Sequence, residues 1–171
     1  MRQEGTVTID EKKGFATIKS DKVNRFATKF EFSRGRLVWN FENVNITGAG
    51  YFDINCDTWH CTSNGAGWIK SHIEASKNSE LKCQWDWTES YWKVDDLSTM
   101  KTLELSVLDD PSNEGKVLVT MSINGQQVTQ HSKPAPEHRS WFVYFGFADT
   151  AVMADPLNSV TFKTFEYIPA E

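Results

Sequence analysis

The chain has 171 residues, 39% of them hydrophobic and 24% charged. That balance excludes a disordered class, and the length suffices to bury a full core. Lysine and arginine number 18 against 23 acidic residues, a net charge of -5, which disfavours a phosphate-binding surface and with it nucleic acid as a partner.

The first strands are expected at Thr6–Ile9 and Phe15–Lys19, around the hairpin loop Asp10–Gly14 (DEKKG). Phe26, Thr28, Phe30 and Phe32 then alternate with Ala27, Lys29 and Glu31. After a loop at Ser33-Arg34-Gly35, Leu37, Trp39 and Phe41 alternate with Val38, Asn40 and Glu42. Each such pattern puts one face of a strand in a core and the other toward water. Shorter runs follow at Tyr51–Ile54, Gly67–Ile73, Leu81–Trp87 and Tyr91–Val94, with Thr88–Ser90 read as the turn between the last two. Val94–Thr102 has room for a single helical turn, and no apolar stripe at helical spacing follows it.

Leu103, Leu105 and Val107 begin the next strand, and the loop Asp109–Gly115 (DDPSNEG) carries Pro111 at a turn position. Val117, Val119, Met121 and Ile123 lead into Asn124-Gly125. A type I′ turn needs positive φ at both central residues, and Asn-Gly meets that need at least cost. Lys133–Arg139 reads as extended because of its prolines. Trp141, Val143, Phe145 and Phe147 form a further strand, Asp149–Asn158 holds at most one short helical turn before Pro156, and Val160–Tyr167 closes the chain. The class is all-β: one two-sheet antiparallel β-sandwich over residues 1–171, with no repeat or linker. No apolar run has the ~18 residues of a membrane span, so no membrane partner is expected. The N-terminal segment lacks the apolar stretch of a signal peptide; a leader already removed would leave the same sequence, so the compartment stays open.

Tryptophan is the anomaly. Of seven, five fall at Trp59, Trp68, Trp85, Trp87 and Trp92, while Trp39 and Trp141 sit in strongly alternating strands and read as core. A large sandwich core can absorb such rings. A pyranose also has an apolar CH face that an indole covers, while nearby amides and carboxylates meet its hydroxyls. On that reading Trp59, Trp85, Trp87 and Trp92 stack on a glycan, and Asp86, Asn55 and Asp57 bind its hydroxyls or an ion. Asn40, Glu42, Asn43, Asn45, Gln84 and Lys93 are further polar groups that a site could recruit.

Other chemistry is weaker. Asp53, Asn55 and Asp57 have the spacing that begins a calcium loop, but Thr58 stands where its glycine belongs and Asn64 where its bidentate glutamate belongs. Cys56, His60, Cys61 and Cys83 match no common zinc spacing, and three cysteines leave one bridge plus a free thiol or three thiols open. No resident cofactor is therefore expected, calcium being the one open alternative. No nucleophile elbow and no E-x-D-x-E triplet occurs, and His60, His72, His131 and His138 are scattered, so no catalytic residue is assigned.

The segments LELSVL, VLVTMSINGQQVTQ and WFVYFGF within Leu103–Phe147, with the closing SVTFKTFEYIP, resemble the second half of concanavalin A-like (jelly-roll) lectin and glucanase domains. The resemblance covers about a third of the chain and implies a jelly roll whose last strand pairs near the first. The sugar signatures of galectins, H-x-N-x-R and W-x-x-E-x-R, are absent, so no residue role carries over. The leading expectation is a carbohydrate-binding, lectin-like module with a glycan partner. A glycoside-cleaving enzyme of the same fold is the first alternative, and a protein-interaction or structural sandwich, such as a capsid or adhesin domain, is the second. Oligomeric state is not legible.

Overall fold

A computed structural model describes residues 7–19, 26–31, 34–46, 51–57, 69–74, 80–85, 88–93, 97–134, 140–147 and 158–171. Among these, thirteen strands run in order: β1 (Val7–Asp10), β2 (Phe15–Lys19), β3 (Phe26–Glu31), β4 (Gly35–Asn45), β5 (Tyr51–Asp57), β6 (Ile69–Glu74), β7 (Glu80–Trp85), β8 (Thr88–Lys93), β9 (Thr102–Asp109), β10 (Lys116–Ile123), β11 (Gln126–Pro134), β12 (Ser140–Phe147) and β13 (Ser159–Pro169). A single 3-10 turn, Leu97–Thr99, precedes β9. The strands form a two-sheet antiparallel sandwich. A seven-stranded sheet is ordered β1-β2-β13-β4-β9-β10-β11 and a six-stranded sheet β3-β12-β5-β6-β7-β8. The chain crosses between sheets repeatedly, and its last strand lies between β2 and β4, as the closing segment implies.

Alternation explains the seven-stranded sheet. Leu37, Trp39, Phe41 and Val44 of β4, Leu103, Leu105 and Val107 of β9, and Val117, Val119, Met121 and Ile123 of β10 are all buried. Cross-strand register stacks them in rows: Leu37 opposite Leu105, and Leu105 opposite Met121. Each such side chain contributes about 1.5–3 kcal/mol on leaving water. Trp39 is 0% exposed, packs 5.1 Å from Phe165 between ring centroids, and leaves its indole Nε1 without a hydrogen-bond partner among the described residues.

The loops follow their residues. Asn124 (φ 49°) and Gly125 (φ 77°) form the expected turn. The Asn124 side chain does a second job: its Oδ1 accepts from the Lys101 and Thr102 amides at 2.8 and 3.0 Å, and its Nδ2 donates to the Thr99 carbonyl at 3.0 Å. The β9–β10 loop closes on buried Asp110, whose carboxylate accepts from the Ser112 amide and Asn113 Nδ2 at 2.8 Å each and from the Ser132 hydroxyl of β11. The Ser132, Ser112 and Asn113 bonds hold this carboxyl below the usual carboxylate range.

One expectation is corrected. Thr88–Ser90 is strand rather than turn, because Trp85 already pairs with Thr88. Strand β7 is described as far as Trp85, and the expected sharing of one strand face by Trp85 and Trp87 falls on Asp86 and Trp87, which lie outside the described residues.

Candidate functional site

The two sheets offer different outer surfaces. On the seven-stranded sheet, polar groups are engaged with one another. Arg36 meets Glu104 at 3.5 Å, Arg34 meets Asp109 at 2.6 Å, Asn40 donates to Thr164 at 2.7 Å, and the Thr17 and Thr161 hydroxyls lie 2.9 Å apart. Where β4 and β13 slip register, Glu42 and Lys163 form an ion pair at 2.7 Å. The hydrogen bond and charge of Lys163 lower the Glu42 pKa. Asn40 and Glu42, two groups considered for a sugar site, are thus committed to this sheet's own ladder, and Asn43 and Asn45 lie on the same strand.

The six-stranded sheet divides its residues into two register sets. One runs through Phe52, Ile54 and Cys56 of β5, Ile69 and Ile73 of β6, Leu81, Cys83 and Trp85 of β7, Trp92 of β8, and Trp141, Val143, Phe145 and Phe147 of β12. In a sandwich, the apolar set is the one that belongs to the interior. The other set is polar except for Ala27 and Phe142, and is laid out in rows across the strands. Gly146, Asp53, His72, Lys82 and Tyr91 form one row, and Tyr144, Asn55, Lys70, Gln84 and Glu89 the next. From β12 to β8 each row crosses four strand intervals, about 19 Å.

The expected site residues are therefore divided. Asn55 and Asp57 belong to the polar set, Trp85 and Trp92 to the apolar set. The two groups occupy alternate faces of the same sheet. Trp59, Trp87 and Asp86 lie outside the described residues, as do Trp68, His60 and Cys61. Gln84 and Lys93 also fall in the polar set, Gln84 in the row of Asn55 and Lys93 in the row of Tyr51. The sequence reading missed Tyr91, Tyr144 and His72, whose shared set emerges only once the strands are paired. Cys56 and Cys83 sit on strands separated by β6 and two residues out of register, about 12 Å apart and beyond the reach of a disulfide. Among the described residues no group of three metal-ligating side chains converges.

No family model matches the chain, and no curated protein sequence does. Solved structures do. A legume lectin-like domain from Entamoeba histolytica superposes with a TM-score of 0.64 at 9% identity, covering 99% of this chain and 90% of that one. The Emp47p carbohydrate recognition domain gives 0.63 at 12% identity over 99% and 88% of the two chains. A β-1,3-1,4-glucanase (lichenase) derived from a mouse hindgut metagenome gives 0.61 at 8% identity over 96% and 83%. The fold is the concanavalin A-like jelly roll.

Proposed function

We propose that the protein is a carbohydrate-binding, lectin-like module whose ligand lies across the polar rows of the six-stranded sheet. The observation that carries this reading is the separation of that sheet into an apolar set and a polar set rich in amide, carboxylate and phenol groups. Such groups, placed on a rigid sheet, are what sugar hydroxyls and CH faces require. The likeness to a carbohydrate recognition domain and a legume lectin-like domain supports it at the level of fold. In this proposal Asn55, Asp57 and Asp86 serve as hydroxyl partners, and tryptophan stacking rests on Trp59 and Trp87. The test is affinity electrophoresis of the full chain through gels containing mannan, xylan, laminarin or mixed-linkage β-glucan. Retardation by at least one is expected; unchanged mobility in all four contradicts the reading.

A second reading is glycoside cleavage. Glu74 and Glu80 are direct cross-strand partners in the polar set. Opposed positions hold their Cβ atoms about 4.5–5.5 Å apart, a separation from which two glutamate side chains can reach the roughly 5–5.5 Å carboxyl spacing of retaining glycosidases. Release of reducing ends from the same polysaccharides supports cleavage, and binding without release supports the module. An interaction or structural role would draw on exposed apolar surface. Among the residues whose side-chain exposure is described, the large hydrophobic side chains exposed are Ile9 and Leu108, on β1 and β9.

A further inference from the structure

The Asn124-Gly125 turn joins a reactive dipeptide to a side chain that the fold holds still. An asparagine followed by glycine is open to attack on its side-chain amide, because glycine puts no Cβ in the way of its own backbone nitrogen. Both residues are exposed, and a Cβ built on Gly125 would meet nothing within 4 Å, so water reaches the turn. The side-chain amide, however, is fastened. Its Oδ1 accepts from the Lys101 and Thr102 amides at 2.8 and 3.0 Å, and its Nδ2 donates to the Thr99 carbonyl at 3.0 Å. The Asn124 backbone nitrogen donates to the Thr102 carbonyl at 3.0 Å. All four bonds reach the segment that enters β9, whereas Gly125 leads into β11 on the other side of β10. Attack by the Gly125 nitrogen needs the side chain to swing back over its own backbone, which breaks its three bonds.

We infer that Asn124 is a deamidation site gated by folding, inert while the turn is anchored to residues 99–102 and reactive once β10 and β11 part from β9. In the open chain the Gly125 nitrogen bonds to Asn124 Cγ as the Cγ–Nδ2 bond breaks. The proton from the Gly125 nitrogen leaves with Nδ2 as ammonia, and a five-membered imide remains. Water opens the imide at either carbonyl, giving aspartate or isoaspartate at position 124. The two products treat the fold differently. Aspartate keeps the acceptor, and a carboxylate takes N–H donors at least as well as an amide does, so the bonds from Lys101 and Thr102 survive and the one to Thr99 is lost. Isoaspartate routes the main chain through the former side chain and adds a methylene to a two-residue turn. That turn no longer sets Ile123 opposite Gln126, because loop length fixes hairpin register. Opening of this corner therefore leaves a permanent mark, and its isoaspartate form bars return to the native hairpin.

The test keeps the full chain in mildly alkaline buffer at urea concentrations spanning its unfolding transition. Peptide mapping follows the amide-to-acid mass gain at Asn124, separately from Asn64-Gly65, the sequence's other Asn-Gly pair. A peptide of residues 122–127 calibrates the unhindered rate at each urea concentration. Deamidation of Asn124 is expected to be at least tenfold slower in the native chain than in the peptide. Its rate should rise with the unfolded fraction and reach the peptide's rate above the transition, since chemistry confined to an open state tracks that state's population. A native rate within twofold of the peptide's, or a rate that does not rise through the transition, overturns the gate. Aged, unfolded protein is then diluted from urea and its compact fraction isolated by size exclusion. That fraction is expected to hold aspartate and to be depleted of isoaspartate at position 124; isoaspartate at the same share as in the aged pool overturns the bar to refolding. The rate comparison decides the gate by itself, whether or not the chain refolds.

Discussion

Asn124 offers the sharpest check on how the seven-stranded sheet is held. Its backbone turns β10 into β11 at φ 49°, while its side chain makes three hydrogen bonds to the segment that leads into β9. The two contributions separate by choice of substitution. Asn124→Gly keeps the turn and loses all three bonds, each worth about 0.5–1.5 kcal/mol and here toward the low end because the site is exposed. The expected loss is about 2 kcal/mol. Asn124→Ala loses the same bonds and adds the cost of a Cβ at positive φ, roughly 1 kcal/mol more. Asn124→Asp keeps the acceptor and loses the donor to Thr99, costing about 1 kcal/mol. On a domain of this size, 1 kcal/mol moves the melting temperature by about 2–4 °C. Urea unfolding should therefore rank the variants Asp, Gly, Ala in increasing damage. Equal stability of Asn124→Gly and wild type would refute the bracing role, and equal stability of the Gly and Ala variants would refute the turn argument.

Gly35 sits at φ 137° where a Cβ would lie 2.5 Å from the Ile168 carbonyl oxygen and 2.7 Å from Tyr167 Cε2. Gly35→Ala is expected to cost about 3 kcal/mol or more in the same assay. Asp110, held below its ordinary pKa by Ser132, Ser112 and Asn113, stabilises the fold fully above the usual carboxylate range. That contribution is lost as pH falls through the lower folded value, because protonation then costs the native state its bonds. Acid unfolding should be less steep in Asp110→Asn than in wild type. Trp39→Phe removes a buried donor that has no partner among the described residues, which offsets part of the lost packing. It should cost less than about 2 kcal/mol, against about 3–5 for Trp39→Ala.

Periodicity made the sandwich legible, because β10 buries every second residue and β4 does so from Gly35 to Phe41, while β9 departs from the pattern only where Ser106 is buried between Leu105 and Val107 and at its exposed end. The Asn-Gly turn was legible for the same local reason: its φ values are a property of two residues. The strand ends around Trp85 were not, since pairing decides them, and Trp85 meets Thr88 two strands out from the centre of the sheet. The grouping of Tyr144 with Asn55, or of Asp53 with His72, joins residues far apart in the chain and becomes visible only from register. Trp39 was legible as core from its alternating strand and is fully buried; that Trp85 and Trp92 share the register of Leu81 and Cys83 is supplied by strand pairing alone. Composition counts rings without saying which side of a sheet they occupy.

Amide chemical-shift mapping tests the central claim most directly. Uniformly nitrogen-labelled protein would be titrated with soluble oligosaccharides prepared from mannan, xylan, laminarin and mixed-linkage β-glucan. The account predicts saturable shifts at Asp53, Asn55, His72, Tyr144 and Gly146, with β9, β10 and β11 of the other sheet unmoved. Shifts confined to the seven-stranded sheet, or none with any of the four, would contradict it.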